Sequence, residues 1–199
     1  LVESIEWAEQ NFKFSHFMSI DYDTLFIAKE ADTSMLGFVS HPNVGLVGKY
    51  TLNNPHWSNV YKKEATKFAK VFGKVPDNYK VGEGVQGGGM LLTRTCIERM
   101  KLKRMFEPPF RNAKKHTKIA DDHLLPLFVR MCGLDIMSSR GVARCEWTAS
   151  QNPMGLEKRG VKLFHPTKLK PYADGTSAEL DVRNYFRDLR GQKALRSCD

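Results

Sequence analysis

No apolar run in this 199-residue chain approaches the roughly 20 residues that a helix needs to cross a bilayer. No basic-then-apolar leader opens it either. It begins Leu1-Val2-Glu3-Ser4 without an initiator methionine, which we read as a trimmed or partial chain, so a missing leader says little about the whole protein. Cysteine is scarce: Cys96, Cys132, Cys145 and Cys198 show no Cys-x-x-Cys spacing, which argues against a zinc site, and are too few for a disulfide scaffold. Cys96 and Cys132 fall in apolar helical patterns and are expected to be buried thiols, with a Cys132–Cys145 bridge left open for an oxidising compartment. Internal repeats and low-complexity tracts are absent. So is the Gly-Lys-Ser/Thr that would complete a phosphate-binding loop, and no dinucleotide fingerprint stands in a strand-to-helix context.

What is present suits one globular domain with a real core: 41% hydrophobic and 27% charged residues. The net charge of +9 favours phosphate-bearing partners, nucleic acid or anionic lipid headgroups, and does not choose among them. Periodicity predicts a helix over 2–12, a strand over Phe14–Ile20 ending at Asp21, and apolar character resuming at Leu25-Phe26-Ile27. Short strands are expected at Met35–Val39 and Val44–Val47, and an amphipathic helix over 58–73. The glycine cluster at 82–89 is expected to turn into an apolar run and then a helix through Ile97 and Met100. The basic stretch 101–118, with Pro108-Pro109, reads as an exposed loop. A helix over about 122–132, strands at Leu134–Met137 and Val161–Phe164, and a final helix over about 178–190 complete an α/β order. We expect residues 1–199 to form one catalytic domain or a fragment of one, with 170–199 as a basic amphipathic helical extension.

Four constellations carry chemistry. Asp21 and Asp23, in Ser19-Ile20-Asp21-Tyr22-Asp23-Thr24, place two carboxylates at the end of an apolar strand, where a hard cation such as Mn²⁺ or Mg²⁺ would take their oxygens and bridge a diphosphate. Gly87-Gly88-Gly89 permits close backbone approach and free N–H groups near a ligand, although a flexible turn has the same look. Asp121-Asp122-His123 stands at a helix start, where one carboxylate caps the helix and the other is a candidate general base; which does which is left open. His165, in Phe164-His165-Pro166, closes a strand and is a candidate metal ligand, though a lone histidine is more often structural.

In this order the four motifs resemble the catalytic core of Fringe-like and core-1-type β-1,3-glycosyltransferases. Residues 1–27 are similar to the segment through that family's acidic triplet: Ile5-Glu6-Trp7, then Phe17-Met18-Ser19-Ile20, then Asp21-Tyr22-Asp23 and Leu25-Phe26-Ile27. Gly87-Gly88-Gly89-Met90-Leu91-Leu92-Thr93 looks like its glycine segment opening a helix, Asp121-Asp122-His123-Leu124-Leu125 like its acidic pair, and Phe164-His165-Pro166 like its late histidine. Tyr22 interrupts the triplet, and the glycine that often follows the acidic pair is missing.

The resemblance implies a GT-A-like mixed sheet flanked by helices, here expected to lack the N-terminal nucleotide-binding units, since only 20 residues precede Asp21. It implies a metal-dependent, inverting, hexosyltransferase-type enzyme. The donor would be a nucleoside-diphosphate sugar, the acceptor a hydroxyl on a glycan, protein or lipid, and the cation Mn²⁺ or Mg²⁺. By this likeness Asp23 and His165 are metal ligands and Asp21 lies by the metal or the donor ribose. Asp121 or Asp122 is the base, and Gly87, Gly88 and Gly89 border the sugar pocket. Trp57 and Trp147 are stacking surfaces or core residues. The compartment depends on the source: cytoplasmic or membrane-peripheral if microbial or viral, Golgi lumen if eukaryotic.

Two other classes compete. A haloacid-dehalogenase-type phosphatase would use Asp21 as nucleophile, but Thr24 stands one place early for its motif and the usual glycine is missing. A nucleic-acid binder would use the basic stretch 101–118 and the arginines Arg183, Arg187 and Arg190, which could also meet membrane headgroups. No recognition motif for nucleic acid accompanies them.

Overall fold

The computed structural model describes residues 1–52, 54–145, 155–165 and 178–195, apart from the side chains of residues 144, 145 and 178. Two sheets lie at its centre. The first has the order β1-β4-β3-β5, formed by β1 (His16–Ser19), β3 (Val44–Thr51), β4 (Gly84–Thr93) and β5 (Asp135–Ser138). β4 pairs antiparallel with both β1 and β3, whereas β3 and β5 run parallel. The second sheet is β2 (Leu25–Phe26), β7 (Leu163–His165) and β6 (Ala143–Cys145), in the order β2-β7-β6. Helices α1 (Val2–Asn11), α2 (Ala31–Leu36), α3 (Pro55–Phe72), α4 (Arg94–Leu102), α5 (Asp121–Met131) and α6 (Ala178–Asp188) complete the described elements. This is the mixed, helix-flanked α/β sheet that the sequence leads one to expect.

Burial explains the layering. Phe68 and Phe72 of α3, Ile97 and Met100 of α4, and Leu124, Leu127 and Phe128 of α5 cover one face of the first sheet, with Val85, Met90 and Leu92 of β4. Leu91, Val47 and Val44 point the other way, onto Leu163, Ala143 and Met35. Beyond the second sheet, Val182 and Phe186 of α6 close a third cluster over Phe164, Ile27 and Leu156. None of the described helices is long and apolar enough to cross a membrane.

Three expectations are corrected. Met35–Val39 is not a strand: helix α2 runs to Leu36 and a 3-10 turn covers Gly37–Val39. Met35 is buried and Leu36 exposed, and an apolar run this short fits a one-sided helical turn as well as a strand. Nor do the glycines open a helix. They lie within β4, and α4 begins only at Arg94, where the Thr93 hydroxyl accepts a hydrogen bond from the Cys96 N–H at 3.2 Å. The basic stretch 101–118 is folded rather than looped out, because Met105, Phe106, Ala113 and Thr117 are buried around a 3-10 segment at Phe110–Lys115.

The glycines also break the register of β4. Val47 faces Leu91 while Lys49 faces Gln86, so five steps along β4 answer two along β3. Surplus residues in one strand make a bulge, which glycine tolerates because it has no side chain to place. The bulge spans the triglycine, at the level where the second sheet meets the first.

Candidate metal and acid–base centre

β1 delivers the chain to Asp21, and a tight turn follows in which the Thr24 N–H donates to the Asp21 carbonyl at 2.9 Å. The turn sets Asp21 and Asp23 on one side. Tyr22 points outward and is 83% exposed, so it interrupts the acidic pair in sequence without separating the carboxylates in space. β2 then pairs antiparallel with β7, Leu25 opposite Phe164 and Phe26 opposite Leu163. One step further along that register stand Thr24 and His165. The imidazole Nε2 of His165 therefore lies 3.3 Å from Asp21 Oδ2 and 3.2 Å from Asp23 Oδ1. One ligand atom from each of the three residues falls within 4.8 Å of the others.

This trio fits a divalent cation. Neighbouring ligands on an octahedral ion with bonds of about 2.1 Å stand about 3 Å apart, close to the spacing seen. Asp23 is buried, and the other ring nitrogen of His165, Nδ1, is buried without a hydrogen-bond partner among the described residues. Among the described residues the position of this imidazole is set by its two carboxylates and by packing, and the glycines supply that packing. A Cβ on Gly88 would overlap the Cβ and ring of His165. One on Gly87 would stand 2.8 Å from Asp21 Oδ2 and 3.3 Å from Asp122 Oδ1, and one on Gly89 2.9 Å from Leu163. All three glycines make room for the protein's own side chains. Thr24 ties the turn to the bulge by donating from its hydroxyl to the Gly88 carbonyl at 3.0 Å.

The acidic pair at the start of α5 divides. The N-cap is Ala120 and no side chain caps the helix, so neither aspartate has the capping role. Asp121 turns outward to the Lys114 ammonium at 3.1 Å. Asp122 is half-buried and faces Gly87 beside Asp21. Burial, then the charges of Asp21 and Asp121, push its carboxyl up to about 6, against a smaller pull down from His165 and Lys114.

Sequence reasoning missed the groups that fix Asp122 in place. His123 is buried and its Nδ1 bonds the Glu83 carbonyl at 2.9 Å. Glu83 is fully buried, and its carboxylate meets the Arg130 guanidinium at 3.1 Å and the Tyr50 hydroxyl, which donates at 2.9 Å. Arg130 also reaches Asp135 at 2.6 Å. Helix α5 is thus clasped through His123 and Arg130 to Glu83, the residue just before β4, and Asp122 faces Gly87. Arg130 within the apolar run Leu124–Met131 was the available signal, since a charge there implies a buried partner.

Trp57 is half-buried and packs on the His123 ring, centroids 5.2 Å apart. Trp147 and Cys198 lie outside the described residues, as does the side chain of Cys145. Cys96 and Cys132 are buried free thiols. Four cations of the basic stretch are in ion pairs: Lys101 with Glu9, Arg104 with Glu107, Arg111 with Glu3 and Glu6, and Lys114 with Asp121. Of the C-terminal arginines, Arg183 pairs with Glu179 and Arg187 donates to the Lys193 carbonyl, while Arg190 lies beyond the end of α6.

No family model matches this chain, and no curated protein matches it. Among solved structures it is similar to mouse xyloside xylosyltransferase 1 in its apo form, with a TM-score of 0.46 and 14% identity, covering 81% of this chain and 62% of that one. The chain thus spans less than two thirds of that protein's length.

Proposed function

We propose that the chain is the catalytic core of a glycosyltransferase that moves a sugar from a nucleoside-diphosphate donor to an acceptor hydroxyl with inversion. One observation carries this reading: Asp21, Asp23 and His165 converge on a single point, and Asp122, a carboxylate with raised proton affinity, stands beside them across Gly87. The order of these motifs along the chain matches the β-1,3-glycosyltransferase likeness drawn above.

Asp21, Asp23 and His165 would hold the cation, with Mn²⁺ favoured over Mg²⁺ because one ligand is an imidazole nitrogen. When bound, the cation would offset the negative charge of the diphosphate. Asp122 takes the proton of the acceptor hydroxyl as its oxygen bonds to the anomeric carbon. The bond from that carbon to the diphosphate oxygen breaks with its electron pair, so the sugar changes partners and the proton rests on the Asp122 carboxylate. A base with a pKa near 6 is largely ionised at neutral pH and still holds a proton usefully. Asp121, held outward by Lys114, keeps a negative charge nearby and raises that affinity.

The test is a panel of nucleoside-diphosphate sugars with Mn²⁺, followed by mass spectrometry for released diphosphate and sugar. Turnover that Asp122→Asn removes while donor binding persists supports the proposal. Hydrolysis of simple phosphomonoesters through Asp21, with nucleotide sugars untouched, would replace it with the phosphatase reading.

A further inference from the structure

A cavity of about 420 Å³ is lined by Asp21 and Asp122 together with side chains of the main core. Its volume lies within the roughly 300–1,000 Å³ of small-molecule sites. Its lining is of two kinds. Asp21 and Asp122 stand with Ser19 and Gly87 among the less buried residues, and the half-buried Phe110 joins the buried Met90, Met100, Met105, Leu125 and Phe128. Three of those six are methionines, whose unbranched, polarisable side chains adapt to differently shaped apolar guests and favour aromatic ones. The rim cations Arg111 and Lys114 already face Glu3 and Glu6, and Asp121, so the chamber offers little to a free anion.

Resting on the transferase reading, we infer that this chamber takes the acceptor, and that the acceptor is an amphipathic hydroxyl compound: an alcohol or glycoside whose apolar body, of about phenyl size, fills the methionine-lined depth while its hydroxyl end meets Asp122. A wholly hydrophilic sugar would leave that wall of apolar side chains facing water. An apolar body there removes both surfaces from water and fixes the hydroxyl by its other end. The chamber and the metal trio share Asp21, so acceptor and donor sites adjoin without overlapping in chemistry.

The test uses protein labelled with [¹³C-methyl]methionine, in which the signals of Met90, Met100 and Met105 are assigned by single Met→Leu variants. Two matched pairs serve as probes: phenyl against methyl β-D-glucopyranoside, and 2-phenylethanol against ethanol. The aromatic member of each pair is expected to shift these three methyls selectively and to bind at least ten-fold more tightly than its counterpart. Ala113→Leu, which narrows the cavity, should weaken aromatic binding at least ten-fold, and Met100→Gln, which makes its wall polar, should do the same if the first variant does not fold. Aromatic and non-aromatic members binding alike, or shifts spread over other methionines, would overturn the inference. Mn²⁺ and nucleoside-diphosphate binding are measured on the same samples. If they persist while aromatic binding is absent, the chamber proposal alone falls. If they are absent while aromatic binding is present, the transferase reading falls and the cavity remains a site for apolar alcohols.

Discussion

His165 Nε2 lies 3.2 Å from Asp23 Oδ1, a contact made by two residues from opposite ends of the chain and fixed by the β2–β7 pairing. The seat beneath it is Gly88, whose missing Cβ leaves room for the imidazole. Gly88→Ala should therefore cost about 1–3 kcal/mol of stability by overpacking. It should also weaken Mn²⁺ binding at least ten-fold as the ring is displaced. Gly37→Ala, where a Cβ meets nothing within 4 Å, should change neither. Thermal melts and electron paramagnetic resonance of free Mn²⁺ read the two effects separately.

The Asp122 carboxyl is expected to titrate near pH 6 by ¹³C NMR of metal-free protein, well above an ordinary aspartate. The sign follows from its role. As a base it is active when ionised, so turnover should fall about ten-fold per unit as pH drops below about 6. Its effect on stability runs the other way: the folded state holds this proton more tightly, so the contribution is full below the ordinary aspartate range and is lost as pH rises through 6. Asp121→Asn removes one of the charges that raise the value and should move the midpoint down.

Arg130→Met leaves the fully buried Glu83 carboxylate without its guanidinium and should destabilise the fold by about 3–5 kcal/mol in chemical denaturation. Adding Glu83→Gln should restore much of that loss, since the stranded charge is then gone. Tyr50, whose hydroxyl is pushed up to about 12 by burial and then by Glu83, should ionise at lower pH in Glu83→Gln alone.

The strand that leads to Asp21, found at His16–Ser19, the helices at Pro55–Phe72 and Asp121–Met131, and Asp21, Asp23 and His165 as residues that come together are legible in the sequence because each rests on a local pattern: apolar periodicity, a stop at Gly73, a charge or histidine at a strand end. The triglycine reads in sequence as a helix-opening turn and lies instead within β4. Glycine's reason for being there is a close approach by His165, Leu163 and Asp21, which are remote in sequence. Which of Asp121 and Asp122 faces Asp21 is likewise closed to sequence, because it depends on how α5 packs against Gly87. Met35–Val39 reads as a strand because four apolar residues about Gly37 carry no period long enough to separate strand from helix.

Cys96 and Cys132 give an independent check on the core. Burial raises both thiols, that of Cys132 to about 11, so both stay protonated at pH 8. Peptide mapping after brief iodoacetamide treatment should find these two unmodified in the native protein and modified in denaturant.

Under the proposed function Asp21, Asp23 and His165 form one cation site that serves a diphosphate. The decisive measurement is calorimetric titration of a nucleoside diphosphate with and without Mn²⁺. Mn²⁺ is expected to tighten binding at least ten-fold, and Asp23→Ala and His165→Ala are each expected to abolish the gain while circular dichroism stays native. Equal affinity with and without the ion, or a gain that survives both substitutions, would rule the cation site out.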